Sequence, residues 1–123
     1  MIRLHHVQYG RSFRVLWLLE EVGVERFGGL QIVEHRIGTR EMAESGLARV
    51  SPAVRIPAIE MDGLEMSESG AIVEYILERH KNGGLKPAVE DARYPDYLQW
   101  FHYCEGMVMP PINTIVVQTI LLP

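Results

Sequence analysis

The sequence predicts an α/β fold in which a βαβ unit is followed by two antiparallel strands and a further helix. Three observations predict it. Residues 2–7, 15–22 and 30–34 are in turn β-prone, periodic like an amphipathic helix, and β-prone again. An Asp-Gly step at 62–63 separates two short segments of alternating character. A new helical pattern begins near residue 69, so the whole set forms one small layered structure around a sheet.

The first half of the chain is predicted to run strand, helix, strand. A loop at residues 9–12 follows the first strand, and the helix after it ends at Gly23. The apolar residues of this helix fall at i, i+3, i+4 and i+7: Val15, Leu18, Leu19 and Val22. We expect its two flanking strands, with Leu30–Glu34 as the second, to be parallel and joined by a right-handed crossover.

The Asp62-Gly63 step predicts a tight hairpin, because a type I′ turn requires positive φ at both central positions. This turn would pair Met61 with Leu64, Ile59 with Met66 and Glu60 with Glu65, so that the apolar side chains share one face. Between the βαβ unit and the hairpin, residues 40–50 indicate at most a short, weak helix.

The segment Ser67 to Gly70 leads directly from the hairpin into a helix that runs to about Arg79. A hydroxyl at a helix start can cap the first turn. Free backbone N–H groups there are also suited to bind a carboxylate. This segment therefore predicts a binding site as well as a structural element.

The second part of the chain has a different pattern of polar and apolar residues. We place the first domain at residues 1–80, a polar, Gly-rich linker at 81–92 and the start of a helical domain at 93–123. One long helix with a broad apolar face is expected there, and Pro110-Pro111 should bend or end it. The pattern indicates that the chain stops as this helical domain begins. The apolar side chains recur at helical spacing: Tyr97, Trp100, Phe101, Cys104 and Met107.

Composition excludes several classes of partner. The net charge of −4, without a cluster of Lys or Arg, gives no electrostatic surface for nucleic acid or an anionic membrane. The single cysteine, Cys104, excludes an internal disulfide and dithiol redox chemistry. The longest apolar stretch, residues 112–123, is interrupted by polar residues and is shorter than the roughly 20 residues of a membrane span. We expect a cytoplasmic protein. His5 and His6 point to opposite faces of a strand, so no metal site is predicted.

Three blocks in this order resemble the glutathione S-transferases, their bacterial members especially: residues 12–21, residues 54–57 and residues 68–72. Residues 97–111 are similar to the first helix of that family's C-terminal domain. The resemblance implies a thioredoxin-like βαβ-ββα domain, followed by the first helix of an all-α domain that is incomplete. It also implies a homodimer that joins glutathione, as co-substrate, to small electrophilic molecules.

The resemblance assigns contacts to glutathione. Glu68 and Ser69 would hold its γ-glutamyl end, with the carboxylate at the helix start. Pro57, taken as cis, would leave the backbone of Ile56 free to pair with the cysteinyl amide. Arg55 stands where the family often has a contact to the glycyl carboxylate. As structural alternatives, Ser69 would only cap a helix and Arg55 would be a solvated charge.

The residue that activates the thiol is where the sequence departs from the family. Gly10 occupies the position at which such members usually carry Ser or Cys. A free thiol has a pKa of about 8.5, so a donor that favours the thiolate is needed. The Ser12 hydroxyl is our first choice, and the Tyr9 hydroxyl and backbone N–H groups at the first helix are alternatives. Ser12 could instead be an N-cap, and the chain a non-catalytic binding or structural module.

Overall fold

The computed structural model describes residues 1–79 and 84–121. It divides into two compact units, Met1–Gly83 and Gly84–Pro123. The first three residues of the expected linker 81–92, and the last two of the chain, lie outside the described residues.

The first unit contains a four-stranded sheet with the order β2-β1-β3-β4. The strands are β1 (Ile2–His6), β2 (Leu30–Glu34), β3 (Ala58–Met61) and β4 (Leu64–Ser67). β1 pairs with β2 in parallel and with β3 antiparallel, and β3 pairs antiparallel with β4. The parallel pairing of the two strands in the βαβ unit is therefore confirmed.

In the described part of this unit, four α-helices and one 3₁₀-helix (Val24–Phe27) accompany the sheet: α1 (Ser12–Val22), α2 (Arg40–Glu44), α3 (Leu47–Val50) and α4 (Ser69–Arg79). The segment expected to form one weak helix thus forms two short ones, because Gly46, with φ 77°, turns the chain between them. Thr39 begins the first of these, its Oγ1 accepting from the Met42 N–H at 3.3 Å, which is an ordinary N-cap.

The hairpin has the register that the sequence predicts. Met61 pairs with Leu64, Ile59 with Met66 and Glu60 with Glu65. The two central residues of the turn have φ values of 51° at Asp62 and 81° at Gly63. Positive φ at both positions matches the right-handed twist of the flanking strands, so the turn itself fixes the pairing.

The core lies on the face of the sheet against α1 and α4. Leu4 and Ile59 come from the central strands, Leu19 from α1, and Ile72 and Ile76 from α4, and all five are fully buried. Each such side chain contributes about 1.5–3 kcal/mol relative to an exposed position. A smaller cluster on α3 and the start of β3 consists of Leu47, Val50 and Ala58.

The second unit is helical. Its regular helices are α5 (Tyr94–Tyr103) and α6 (Met109–Val116), and π-helical turns cover Cys104–Val108 and Val117–Leu121. The two prolines lie in the first turn of α6, where a missing N–H costs little. Helix α5 ends before the two prolines, as expected. The chain nevertheless stays helical through the first π-helical turn, in which the Met109 N–H donates to the carbonyl of Cys104. None of the helices in the described ranges is long and apolar enough to cross a membrane.

Candidate functional site

The strand register brings the three predicted blocks to one edge of the sheet. β1 ends at His6, and His5 pairs with Ala58, the first residue of the antiparallel strand β3. Ala58 also pairs with Ser67, the last residue of β4. The loop after β1, the loop before β3 and the start of α4 therefore lie side by side. They carry all the predicted site residues: Tyr9, Gly10, Ser12, Arg55, Ile56, Pro57, Glu68 and Ser69.

The loop between β1 and α1 is fastened by a side chain. The Ser12 hydroxyl donates to the carbonyl of Val7 at 3.2 Å and accepts from the N–H of Val7 at 3.1 Å. Ser12 itself is fully buried. Tyr9, in contrast, is fully exposed and has a left-handed φ of 59°.

This geometry differs from the expectation that the Ser12 hydroxyl donates to a thiolate. A hydroxyl has one proton, and here that proton is used by Val7. The N–H of Ser12 makes no hydrogen bond to any residue in the described part of the chain. Since Ser12 is also fully buried, the contacts favour the other expected donors, the Tyr9 hydroxyl and the backbone N–H groups at the start of α1.

Gly10 is enclosed by the same loop. A Cβ added to Gly10 would lie 2.4 Å from Val7 Cγ1 and 3.2 Å from the Val7 carbonyl oxygen. Its φ is not left-handed, so a side chain at this position is opposed by the neighbouring atoms and not by the backbone conformation.

The loop before β3 presents a free piece of backbone. The Ile56-Pro57 peptide bond is cis, as the resemblance implied. Within the described residues, neither the N–H nor the carbonyl of Ile56 has a hydrogen-bond partner. Arg55 is exposed beside it, and Val54 has a left-handed φ of 51°. An unpaired peptide group next to a cation is suited to bind the backbone of a peptide-like anion.

Helix α4 begins at Ser69, directly after a left-handed Glu68 with φ 77°. The carbonyl of Glu68 accepts the Ile72 N–H at 3.0 Å, and the Glu68 side chain is exposed. Ser69 is only 3% exposed as a residue, and its hydroxyl, which keeps access to solvent, has no hydrogen-bond partner among residues 1–79 and 84–121. A hydroxyl and first-turn N–H groups without partners are the donors that a carboxylate needs.

A polar network that the sequence did not reveal joins two buried histidines, His5 and His35, to the partly exposed Glu60 on β3. His5 Nδ1 is 2.8 Å from His35 Nε2, and His5 Nε2 is 3.1 Å from Glu60 Oε1. Arg49 Nη2 donates to Glu60 Oε2 at 2.6 Å. Arg3 Nη1 donates to Glu60 Oε1 at 3.2 Å. The sequence offered no signal for it beyond the alternation that puts Arg3, His5 and Glu60 on one face.

This network shifts two pKa values downward. Burial, followed by the charges of His5 and Arg3, lowers the pKa of His35. Burial alone would raise the pKa of Glu60, but the hydrogen bonds from His5 and Arg49 and the charge of Arg3 bring it below its usual value. An ionised Glu60 accepts from His5 Nε2–H. The second hydrogen bond of the pair, between His5 Nδ1 and His35 Nε2, takes its donor from whichever of the two nitrogens carries the proton.

A cavity of about 770 Å³ adjoins the loop after β1. Val7 and Gln8 line one side, His35 and Arg36 follow β2, and Met42 comes from α2. Among the described residues, no group of three or more His, Cys, Asp or Glu side chains is placed to hold a metal ion.

Comparison with known families gives this arrangement its context. Residues 1–78 match the family profile described as "Glutathione S-transferase, N-terminal domain". The chain belongs to the glutathione S-transferase family. The fold is accordingly the thioredoxin-like arrangement of that domain, followed by helical structure.

Individual relatives agree with this assignment. Glutathione S-transferase 3 of Schizosaccharomyces pombe is 35% identical over 112 residues, which cover 89% of this chain and 43% of that protein. Glutathione transferase F7 from Populus trichocarpa superposes with a TM-score of 0.80 at 25% identity, covering 100% of this chain and 57% of that one.

A glutathione transferase family member from Pseudomonas fluorescens, solved with two glutathione bound, gives a TM-score of 0.77 at 25% identity over 94% of this chain and 51% of that one. This chain therefore spans about half of the length of these relatives. They come from a fungus, a plant and a bacterium, and so they show the family without singling out its bacterial type.

Proposed function

We propose that the chain binds glutathione at the edge formed by the loop after β1, the loop before β3 and the start of α4. The observation that carries this proposal is the Ser69 hydroxyl at the first residue of α4, which has no hydrogen-bond partner in the described residues and lies near the unpaired backbone of Ile56 across the β3–β4 pair. The bound glutathione in the Pseudomonas fluorescens relative supports the choice of ligand.

The contacts follow from the chemistry of the tripeptide. Ser69 and the first-turn N–H groups of α4 would take the γ-glutamyl carboxylate, and exposed Glu68 its ammonium group. The backbone of Ile56, before Pro57, would pair with the cysteinyl amide, and the exposed guanidinium of Arg55 with the glycyl carboxylate. In this proposed orientation the cysteinyl sulfur would face the loop of Tyr9 and Gly10.

The proposed reaction is a transfer of the glutathionyl group. The thiol loses its proton to solvent, and the thiolate attacks an electrophilic carbon. A C–S bond forms, and the leaving group departs with its electron pair. Because the Ser12 hydroxyl is bonded to Val7 and the residue is fully buried, the exposed Tyr9 hydroxyl and the backbone N–H groups at the start of α1 are the donors left for stabilising the thiolate.

A second function rests on a specific observation. Gly10 supplies no hydroxyl or thiol, and the Ser12 hydroxyl is bonded to Val7. If the backbone donor is too weak to lower the thiol pKa, the chain is a glutathione-binding module without turnover. A cytoplasmic location and a homodimer are proposed for either function, and a small electrophilic substrate is proposed for the transferase alone. Exposed apolar side chains on the second unit support association: Trp100, Met107, Ile112 and Ile115.

Titration calorimetry with glutathione, followed by a conjugation assay on the same sample, tests both functions. Ser69→Ala should weaken binding by about 1–3 kcal/mol, because a donor to a charged group is lost. Ser45→Ala, which removes an exposed hydroxyl that donates to the Met42 carbonyl and accepts from the Leu47 N–H, is the matched control and should leave affinity unchanged. Binding with turnover of an electrophilic chloroarene supports the transferase, and binding without turnover supports the module. Unchanged affinity in a folded Ser69→Ala variant would refute the γ-glutamyl assignment.

A further inference from the structure

Ser51 is a buried serine whose polar groups all bond within the segment that leads into the loop before β3. It is 1% exposed. Its N–H donates to the Leu47 carbonyl at 2.7 Å, and its carbonyl accepts from the Val54 N–H at 2.8 Å. Its hydroxyl oxygen accepts from the Arg55 N–H at 3.0 Å. One residue thus connects the end of α3 to both residues that precede Ile56.

These bonds hold a conformation that the local sequence disfavours. Val54 has a left-handed φ of 51°, which is a true outlier for a β-branched residue. The carbonyl of Ser51 bonds to the N–H of Val54, and the hydroxyl bonds to the N–H of the next residue, so the strained residue is fixed on both sides. Side-chain hydroxyls commonly stabilise a turn in this way, by bonding to nearby backbone N–H groups.

We propose that Ser51 is a positioning residue for the glycyl end of glutathione. Through Val54 and the Arg55 N–H it orients the Arg55 guanidinium and the free backbone of Ile56, without contacting the ligand. This inference rests on the proposed function. It adds that Ser51 determines the affinity for one end of the tripeptide. The γ-glutamyl end, at Ser69, lies on a different element and is independent of Ser51.

A merely structural Ser51 would behave differently. It caps the end of α3, so its loss could lower the stability of the fold and reduce the affinity for every ligand by the same factor. A positioning role predicts a selective effect. Glutathione carries the glycyl carboxylate, whereas γ-glutamylcysteine lacks it. The ratio of their dissociation constants therefore reports the Arg55 contact separately from overall stability.

The experiment measures both dissociation constants by titration calorimetry for the wild-type chain, Ser51→Ala, Ser51→Cys, Ser51→Thr and Arg55→Ala. Ser51→Cys keeps nearly the same volume but replaces the hydroxyl oxygen with a weak acceptor, so it supplies the measurement if Ser51→Ala does not fold. We expect the wild-type preference for glutathione to fall about three- to tenfold in Ser51→Ala and Ser51→Cys, as in Arg55→Ala. Ser51→Thr, which keeps the acceptor, should retain the preference even if its melting temperature is lower.

The outcomes separate the two proposals. A wild-type chain that binds neither ligand refutes the proposed function and this role of Ser51 with it. A wild-type chain that binds both ligands equally well overturns the positioning role alone. So does a preference for glutathione that survives in Ser51→Ala or Ser51→Cys, or equal losses of affinity for the two ligands.

Discussion

Placing a serine at residue 10 tests the reasoning about the loop between β1 and α1 most directly. Gly10→Ser supplies the hydroxyl at the position where the family usually carries one. Its Cβ would come within 2.4 Å of Val7 Cγ1, which is closer than real Cβ atoms approach. The backbone of Gly10 is not left-handed, so the contact with Val7 is the main obstacle.

The expected magnitude follows from this contact. Val7 is only 9% exposed, and moving its side chain away amounts to overpacking a closed site, at a cost of about 1–3 kcal/mol in the free energy of unfolding. Removing Cγ1 and Cγ2 by Val7→Ala costs about 2 kcal/mol by itself. In the double variant the clash is gone, so the two effects should fall short of additive by about the clash term, 1–3 kcal/mol.

Urea denaturation of the four species in this double-mutant cycle measures the coupling. Val7→Ala leaves the Val7 N–H and carbonyl in place, so Ser12 keeps both of its hydrogen bonds. Gly106→Ser is the matched control, because a Cβ there meets nothing within 4 Å and the φ of Gly106 is ordinary. We expect it to change the free energy of unfolding by less than about 0.5 kcal/mol.

The chemical half of the same prediction concerns the bound thiol. A hydroxyl donating to the thiolate contributes about 1.5–3 kcal/mol, which corresponds to a thiol pKa lower by about one to two units. Thiolate absorbance against pH should reveal this in the double variant with glutathione bound. Strictly additive stabilities would refute the packing argument, and an unmoved titration curve would refute the placement of the sulfur beside residue 10.

Three further predictions use other parts of the chain. Ser12→Ala should lower the free energy of unfolding by about 1–3 kcal/mol, because the buried Val7 N–H and carbonyl lose their partner. The pKa of the bound thiol should stay unchanged, and a raised thiol pKa would show that the Ser12 hydroxyl is the donor after all. The pKa of His35 is lower in the fold than its ordinary 6.5, so the unfolded state binds more protons below that value. The free energy of unfolding should therefore fall as the pH decreases from about 6.5, and it should fall less steeply in His35→Phe. Glu60 acts in the same direction below its ordinary 4.5, and equal slopes for wild type and His35→Phe near pH 6 would contradict the burial argument. Light scattering should find a dimer, with Trp100→Glu shifting it toward monomer, whereas a monodisperse wild-type monomer would contradict the proposed association.

The hairpin is the part of the fold that the sequence predicts best. Its register depends on Asp62, Gly63 and the alternation on either side, all within a few residues. The βαβ unit is predicted for a similar reason, since the stripe of α1 and the two β-prone segments are local signals. The strand pairing also determines which loops meet at the candidate site, because the antiparallel pairing of β1 with β3 brings loops that are distant in sequence to one edge.

What the sequence does not predict depends on side-chain directions across the sheet. His35 joins His5 only because both end on the same face of neighbouring strands, and residues far apart in sequence carry no pattern that reports this. The Ser12 hydroxyl could likewise donate to a ligand or to the backbone of its own loop, and sequence spacing alone does not distinguish these two partners. The π-helical turn at Cys104–Val108 is a further case, since proline propensity indicates an interruption but not its form.

Backbone strain supports the location of the site independently of sequence likeness. In the described residues, the non-glycine positions with left-handed φ are Tyr9, Val54, Asp62 and Glu68. Asp62 lies in the hairpin turn, which requires that conformation, at the opposite end of β3. The other three lie in the three loops at the candidate edge, and no turn signature calls for the conformation there. Strained residues of this kind persist where the surrounding structure holds them, and they cluster at sites of function. The hydrogen bonds of Ser51 and the buried contacts of Ser12 supply that surrounding structure for Val54 and for the loop of Tyr9, so the chain itself holds the conformation of the candidate edge.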